Sequence, residues 1–216
     1  MKVIITALTL LIWAQADAQD SKQMTFKVEG WSCQGCANST ATALQKIKGV
    51  NGVKAVFDKS SATMVTDGTV SEEKIKAILA GLNFQAFFEG DEKIAPLTKE
   101  ETSGLDIRVV KGGDKIKFED YLATGKLTIF DFYADWCGPC KLFTPKLERL
   151  IFEHPDLLSL VQVDVVDWKS QMAKHLTNKY QLPALPFALI FDDQGKLISR
   201  IEGNNIEAVK SAIASK

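Results

Sequence analysis

Two hydrophobic rhythms alternate along this chain and divide it into two units. Between Met24 and Gly90 the order reads strand, helix, strand, strand, helix, strand. Residues 25–28 alternate polar and apolar, the period of a half-buried strand, whereas Ala43, Leu44 and Ile47 recur at helical spacing within residues 38–47. Residues 53–57 and 62–65 read as strands around the turn-like Asp58-Lys59-Ser60-Ser61. Ser71, followed by Glu72 and Glu73, opens a second helix expected to stop at Gly81, and residues 85–88 close the unit as a fourth strand.

From Leu105 onward strands and helices alternate over longer spans. Residues 127–132 form a strongly apolar strand and residues 140–151 a helix with Pro145 inside it. Residues 158–166 are strand-like and residues 171–179 helical. Residues 187–191 and 197–201 make a hairpin around Asp192-Asp193-Gln194-Gly195, and residues 206–213 form a closing helix. This order predicts an α/β sandwich built on a central sheet. The segment joining the two units is charged, with Pro96 in its middle, and offers little to bury. It is expected to be exposed and partly mobile.

The N-terminus adds a compartment. Lys2 precedes an apolar run over residues 3–14 and the small-x-small site Ala16-Asp17-Ala18, the pattern of a secretory signal. The run is shorter than the roughly 20 residues a membrane-spanning helix needs, although a retained anchor is the alternative. The expected organisation is therefore a signal peptide over 1–18, a first domain over 19–90, a linker over 91–104 and a second domain over 105–216. Export, to the periplasm if the source is bacterial, follows. A net charge of −1, from 26 basic and 27 acidic residues, argues against nucleic acid as a partner.

All four cysteines fall in two Cys-x-x-Cys pairs with unlike flanks, so no thiol is left over and the pairs are not a duplication. In the second, strand, then Asp135-Trp136-Cys137-Gly138-Pro139-Cys140-Lys141, then helix places a cysteine at a helix N-terminus. Unpaired N–H groups and the helix dipole favour a thiolate there, against an ordinary pKa of about 8.5. Cys137 would be the exposed attacker and Cys140, one turn inward, the resolving thiol. A plain structural disulfide is the alternative, but it requires neither the Gly-Pro spacer nor the aromatic-acid strand before it.

With Phe130-Asp131-Phe132-Tyr133-Ala134 before that motif and Leu185-Pro186-Phe187 before a later strand, residues 105–216 resemble the thioredoxin family. The resemblance implies that Cys137 attacks, Cys140 resolves, Asp131 is a buried acid assisting proton transfer, and Pro186 is a cis-proline. Trp136, Gly138, Pro139 and Leu185 would line the substrate groove. It implies a protein-disulfide substrate and no cofactor for this domain; because an exported compartment re-oxidises such thiols, a membrane thiol would be required as electron donor. Members often carry a lysine on the strand beside the acid; here residues 161–167 hold none and Gln162 is the nearest candidate. Phe187 replaces a smaller or polar residue after the proline, a change expected to alter substrate fit. Thioredoxin itself is poised near about −270 mV and a strong periplasmic oxidant near about −120 mV, a gap of roughly 7 kcal/mol favouring reduction of partners.

The first pair lies in Gly30-Trp31-Ser32-Cys33-Gln34-Gly35-Cys36, between the first strand and helix. Two thiolates suit a soft ion of low coordination such as Cu(I), whereas zinc would want four ligands. Residues 24–90, with Ala43-Leu44, Gly49-Val50 and Leu82-Asn83-Phe84, resemble the heavy-metal-associated domain of copper chaperones, copper-pumping ATPases and the periplasmic mercury-binding protein. That resemblance implies a ferredoxin-like βαββαβ fold, with Cys33 and Cys36 as metal ligands and a metal-transport or metalloenzyme partner. The family usually has methionine at the position of Trp31 and an apolar residue at that of Thr40. A redox pair that only passes electrons, or a site no longer loaded, are the alternatives. His154 and His175 each stand alone and are expected at the surface, and Trp168 is open to either a contact or a packing role.

The combined expectation is an exported thiol–disulfide oxidoreductase, reducing in direction, coupled to Cu(I)-type binding and keeping metal-binding thiols reduced. The rival is a metal chaperone or resistance protein whose second half only docks.

Overall fold

A computed structural model describes residues 21–215; the expected leader at 1–18 lies outside the described residues. The first unit comprises β1 (Lys22–Glu29), α1 (Gln34–Gln45), β2 (Val50–Val56), β3 (Ser61–Thr66), α2 (Glu72–Gly81) and β4 (Gln85–Phe87). Its antiparallel sheet runs β2-β3-β1-β4. Period-two alternation turns Met24, Phe26 and Val28 of β1 inward onto Leu44, Ile75 and Leu79 from the two helices, while the intervening residues face water.

Helix α2 ends at Gly81, as the sequence predicts, but glycine is not the residue that turns the chain. Gly81 is its last helical residue, and Asn83 takes the left-handed conformation with φ +63°. The Asn83 and Phe84 amides donate back to the carbonyls of Ala80 and Leu79, both at 2.9 Å, a Schellman closure in which asparagine serves in place of glycine. The turn leaves the Asn83 side chain pointing off the end of the domain.

The second unit follows a short helix, α3 (Lys99–Thr102). It comprises β5 (Ile107–Val110), β6 (Leu127–Tyr133), α4 (Cys140–Glu153), β7 (Leu158–Asp164), α5 (Gln171–Tyr180), β8 (Phe187–Phe191), β9 (Leu197–Glu202) and α6 (Ile206–Ala214). Its mixed sheet runs β5-β7-β6-β8-β9, with β5, β7 and β6 parallel and β8 and β9 antiparallel. Both faces are covered, so β8 reads as an unbroken apolar run and β6 is buried along nearly its whole length, Thr128 and Asp131 included. One face packs Phe118, Phe130, Phe132 and Met172; the other packs Ile129, Phe143, Leu147 and Leu160.

The linker is exposed as expected, but it is tethered. Thr98 and Glu101 form a capping box on α3. Arg149 of α4 pairs with Glu101 at 3.3 Å and donates to the Ala95 carbonyl, Lys93 pairs with Glu29, and Asp91 pairs with Lys76 at 2.7 Å. Exposed pairs are individually weak, so the strap holds by their number.

Candidate functional site

Strand β6 enters the site through Asp131 and Tyr133, and α4 leaves it through Cys140. Cys137 and Cys140 are joined by a disulfide with Cα atoms 5.3 Å apart, and the Cys140 amide donates to Cys137 Sγ at 3.2 Å. That amide is one of the unpaired donors of the α4 N-terminus, the group that would stabilise a Cys137 thiolate. Leu185-Pro186 is cis, and the Pro186 carbonyl accepts from the Gly203 amide at 2.9 Å. Leu185, Pro186, Gly138 and Gly203 are all buried around the disulfide, and Pro139 caps α4. Trp136 is exposed; its Nε1 donates to the Val166 carbonyl at 2.7 Å and its ring lies 5.9 Å from that of Trp168. Trp168 is therefore an exposed neighbour of the site rather than a packing residue.

Two expectations need correction. Cys137 is only 3 % exposed, not open at a turn. Phe187 is fully buried against Phe132, with ring centroids 6.1 Å apart, so it packs in the core.

Asp131 is wholly buried, and burial pushes its pKa up to about 7; the Thr144 hydroxyl, donating to Oδ2 at 2.7 Å, opposes the rise, and Glu148 adds to it. Oδ1 has no hydrogen-bond partner. Gln162, paired with Asp131 in the β6–β7 register, does not reach the acid but donates to Glu148 at 2.7 Å. Thr144 and Glu148 were missed in the sequence, although both follow Cys140 at four-residue helical spacing and so share its face.

In the first unit Cys33 caps α1 and Cys36 lies in its first turn, with the sulfurs 3.2 Å apart. Partial burial works against ionisation of Cys36, but hydrogen bonds from the Ser32 backbone, the Cys33 side chain and the Ser32 hydroxyl outweigh it, and its pKa is lowered. No cluster of three or more metal-ligating side chains exists among the described residues. Two converging thiols with no third donor fit a soft ion of low coordination. The two departures noted in this loop answer each other: the Trp31 indole N–H donates to the buried Thr40 hydroxyl at 2.9 Å. His175 is half-buried beside Phe118 and Tyr180 rather than at the surface, and His154 is exposed.

The loop that precedes the first thiol pair reaches the second. The Gly30 carbonyl lies so close over Gly138 that a Cβ there would collide with it, and the Trp31 carbonyl carbon would be 3.2 Å from that Cβ. Gly30, with φ +96°, fits against Leu142 of α4. Asn83 Oδ1 accepts from the Asn204 amide at 3.0 Å and fills the space beside Gly203. Lys146 holds the Asn204 side chain from α4 at 3.1 Å.

The heavy-metal-associated domain model matches residues 25–85 and the thioredoxin model residues 109–215. Thioredoxin Y2, chloroplastic, of Arabidopsis thaliana is 39 % identical over 100 residues, covering 46 % of this chain and 56 % of that protein. Thioredoxin-1 of Saccharomyces cerevisiae is 33 % identical over 99 residues, covering 46 % of this chain and 89 % of that one. Among solved structures, oxidised mitochondrial thioredoxin 3 of Saccharomyces cerevisiae aligns with 29 % identity and a TM-score of 0.42, covering 55 % of this chain and all of that one. The chain belongs to the thioredoxin family, joining a heavy-metal-associated domain to a thioredoxin-like disulfide-reductase domain.

Proposed function

We propose that the protein is an exported reductase whose Cys137–Cys140 pair keeps Cys33 and Cys36 in the dithiol form that binds a soft, Cu(I)-type ion. The observation that carries this reading is the seat of Gly30 and Trp31, which precede Ser32 and Cys33, on Gly138 of the second pair. Two Cα–Cα steps of about 3.8 Å keep the Cys33 Cα within about 8 Å of that of Trp31, so the exchange requires a movement of this loop that carries the sulfurs to each other.

The exchange balances without any other oxidant. The Cys137 thiolate attacks one sulfur of an oxidised Cys33–Cys36 pair, forming a mixed disulfide and releasing the other sulfur as thiolate. Cys140 then attacks Cys137 Sγ, breaking the mixed bond and forming Cys137–Cys140 while Cys33 and Cys36 leave as the dithiol. Two electrons pass from one pair to the other. Asp131, with its pKa near 7 beneath the same helix, is suited to take the Cys140 proton and return it. A membrane thiol donor resets the C-terminal pair. A metal-transport or metalloenzyme partner would receive the ion. Metal ligation needs thiolates, and the lowered pKa of Cys36 favours them.

The test is Cu(I) competition with a chromogenic chelator after oxidation and limited dithiol addition, in the full chain and in its Cys137→Ser/Cys140→Ser variant. Recovery of one-to-one binding that requires the C-terminal pair supports the reading. Equal recovery in both, or binding that survives Cys33→Ser/Cys36→Ser, refutes it and favours the docking-only chaperone.

A further inference from the structure

The surfaces that the first domain covers are the working surfaces of the second. A disulfide reductase of this fold must let a substrate strand lie against the residues around its attacking cysteine. Here that groove is edged by Gly138 and Pro139, by the cis Leu185-Pro186 and by Gly203, whose amide is tied to the Pro186 carbonyl. Two of these edges are glycines, and backbone or amide atoms of the first domain lie where their Cβ atoms would be; Gly203 also holds φ +72°. The Gly30 carbonyl occupies the space over Gly138, and the Asn83 amide group the space beside Gly203. Any side chain at either glycine would break the contact.

The Asn83 contact has the form of a substrate contact. Its Oδ1 accepts from the backbone amide of Asn204, next to Gly203, as the carbonyl of a bound peptide would. Asn83 is held for this by the left-handed turn that ends α2, and Lys146 fixes Asn204 from the opposite side. Cys137 and Cys140, at 3 % and 2 % exposure, lie beneath the covered groove, whereas Trp136 and Trp168 at its outer edge remain about half exposed, at 47 % and 48 %.

We infer that the heavy-metal-associated domain is a resident occupant of the thioredoxin-like groove, held there through the Gly30 and Asn83 loops, and that outside disulfides reach Cys137 only when it lifts. Domain interfaces within a chain open readily, and the tethered linker returns the domain at high effective concentration. The inference goes beyond the proposed metal role and holds whether or not Cys33 and Cys36 bind an ion. The turnover of an outside substrate scales with the open fraction: if about one chain in ten is open, releasing the domain raises it about tenfold.

The test uses the full chain with Cys33→Ser and Cys36→Ser, so that neither metal nor the first pair contributes. Insulin reduction driven by a small dithiol is compared in this parent and after adding Asn83→Gly, Leu142→Gln or both. Glycine keeps the left-handed turn and removes only the amide. Leu142→Gln spoils the seat of Gly30 without adding charge. One variant lies in each domain, so loss of fold in either leaves the other to decide. The expected result is a several-fold rise in each single variant, approaching about tenfold in the double. Turnover within twofold of the parent in all variants overturns the inference, as does free hydrogen exchange of the Asn204 amide in the parent. Neither result bears on Cu(I) binding by the unaltered chain.

Discussion

Replacing Asp131 with asparagine should flatten the pH dependence of stability. The carboxyl is wholly buried, has one oxygen without a partner, and has its pKa pushed from 3.8 to about 7. Between those values the folded chain holds a proton that the unfolded chain has released. Stability from this group is therefore complete below about pH 3.8 and is lost as pH rises through about 7. The span is about three pH units, and at about 1.4 kcal/mol per unit the loss is about 4 kcal/mol, of which roughly 2.5 falls between pH 5 and 8. Asparagine keeps the bond from Thr144 but sets an unpaired amide where Oδ1 was, costing about 1–3 kcal/mol at every pH. The assay is urea unfolding of the oxidised protein, followed by tryptophan fluorescence from pH 5 to 8. Oxidation keeps Cys137 and Cys140 from titrating. The wild-type curve should fall relative to the variant by roughly 2.5 kcal/mol across this range. Parallel curves would refute the reasoning, because they would mean that Asp131 ionises in the fold at no cost.

Ser32→Ala removes one of the hydrogen bonds that lower the Cys36 pKa, so the pH midpoint for alkylation of Cys36 should move upward; an unchanged midpoint sinks the assignment. Thr40→Val should cost about 1 kcal/mol by leaving the Trp31 indole N–H unpaired, and most of that should return in a Trp31→Phe/Thr40→Val double variant, read as a coupling energy in thermal unfolding. Asn83→Ala should destabilise the first domain by about 1–2 kcal/mol relative to Asn83→Gly, because only glycine takes φ +63° without strain; equal denaturation midpoints would contradict that.

The order of elements was legible because it rests on local rules. Alternation in residues 25–28, apolar runs in residues 127–132 and 187–191, and the Asp192–Gly195 hairpin each state their own structure through periodicity and turn chemistry. Gly81 marked the end of α2, but the residue that turns the chain there was not legible, because the Schellman closure around Asn83 is backed by tertiary packing of Phe84. The spacing of Thr144 and Glu148 from Cys140 put them on its helix face, but that this face meets Asp131 and Gln162 depends on α4 lying over β6 and β7, which no local pattern encodes.

Residue types and spacing alone determined that two unlike thiol pairs sit at two helix N-termini, since helix dipoles and two-residue spacers act within a few residues. Tertiary structure alone decided how strongly Asp131 is perturbed, since that depends on what desolvates it. It also decided that Trp31 and Thr40 satisfy each other. Above all, it placed Gly30 on Gly138 and Asn83 against Gly203, contacts between residues more than 100 positions apart that depend on how two independently patterned domains meet.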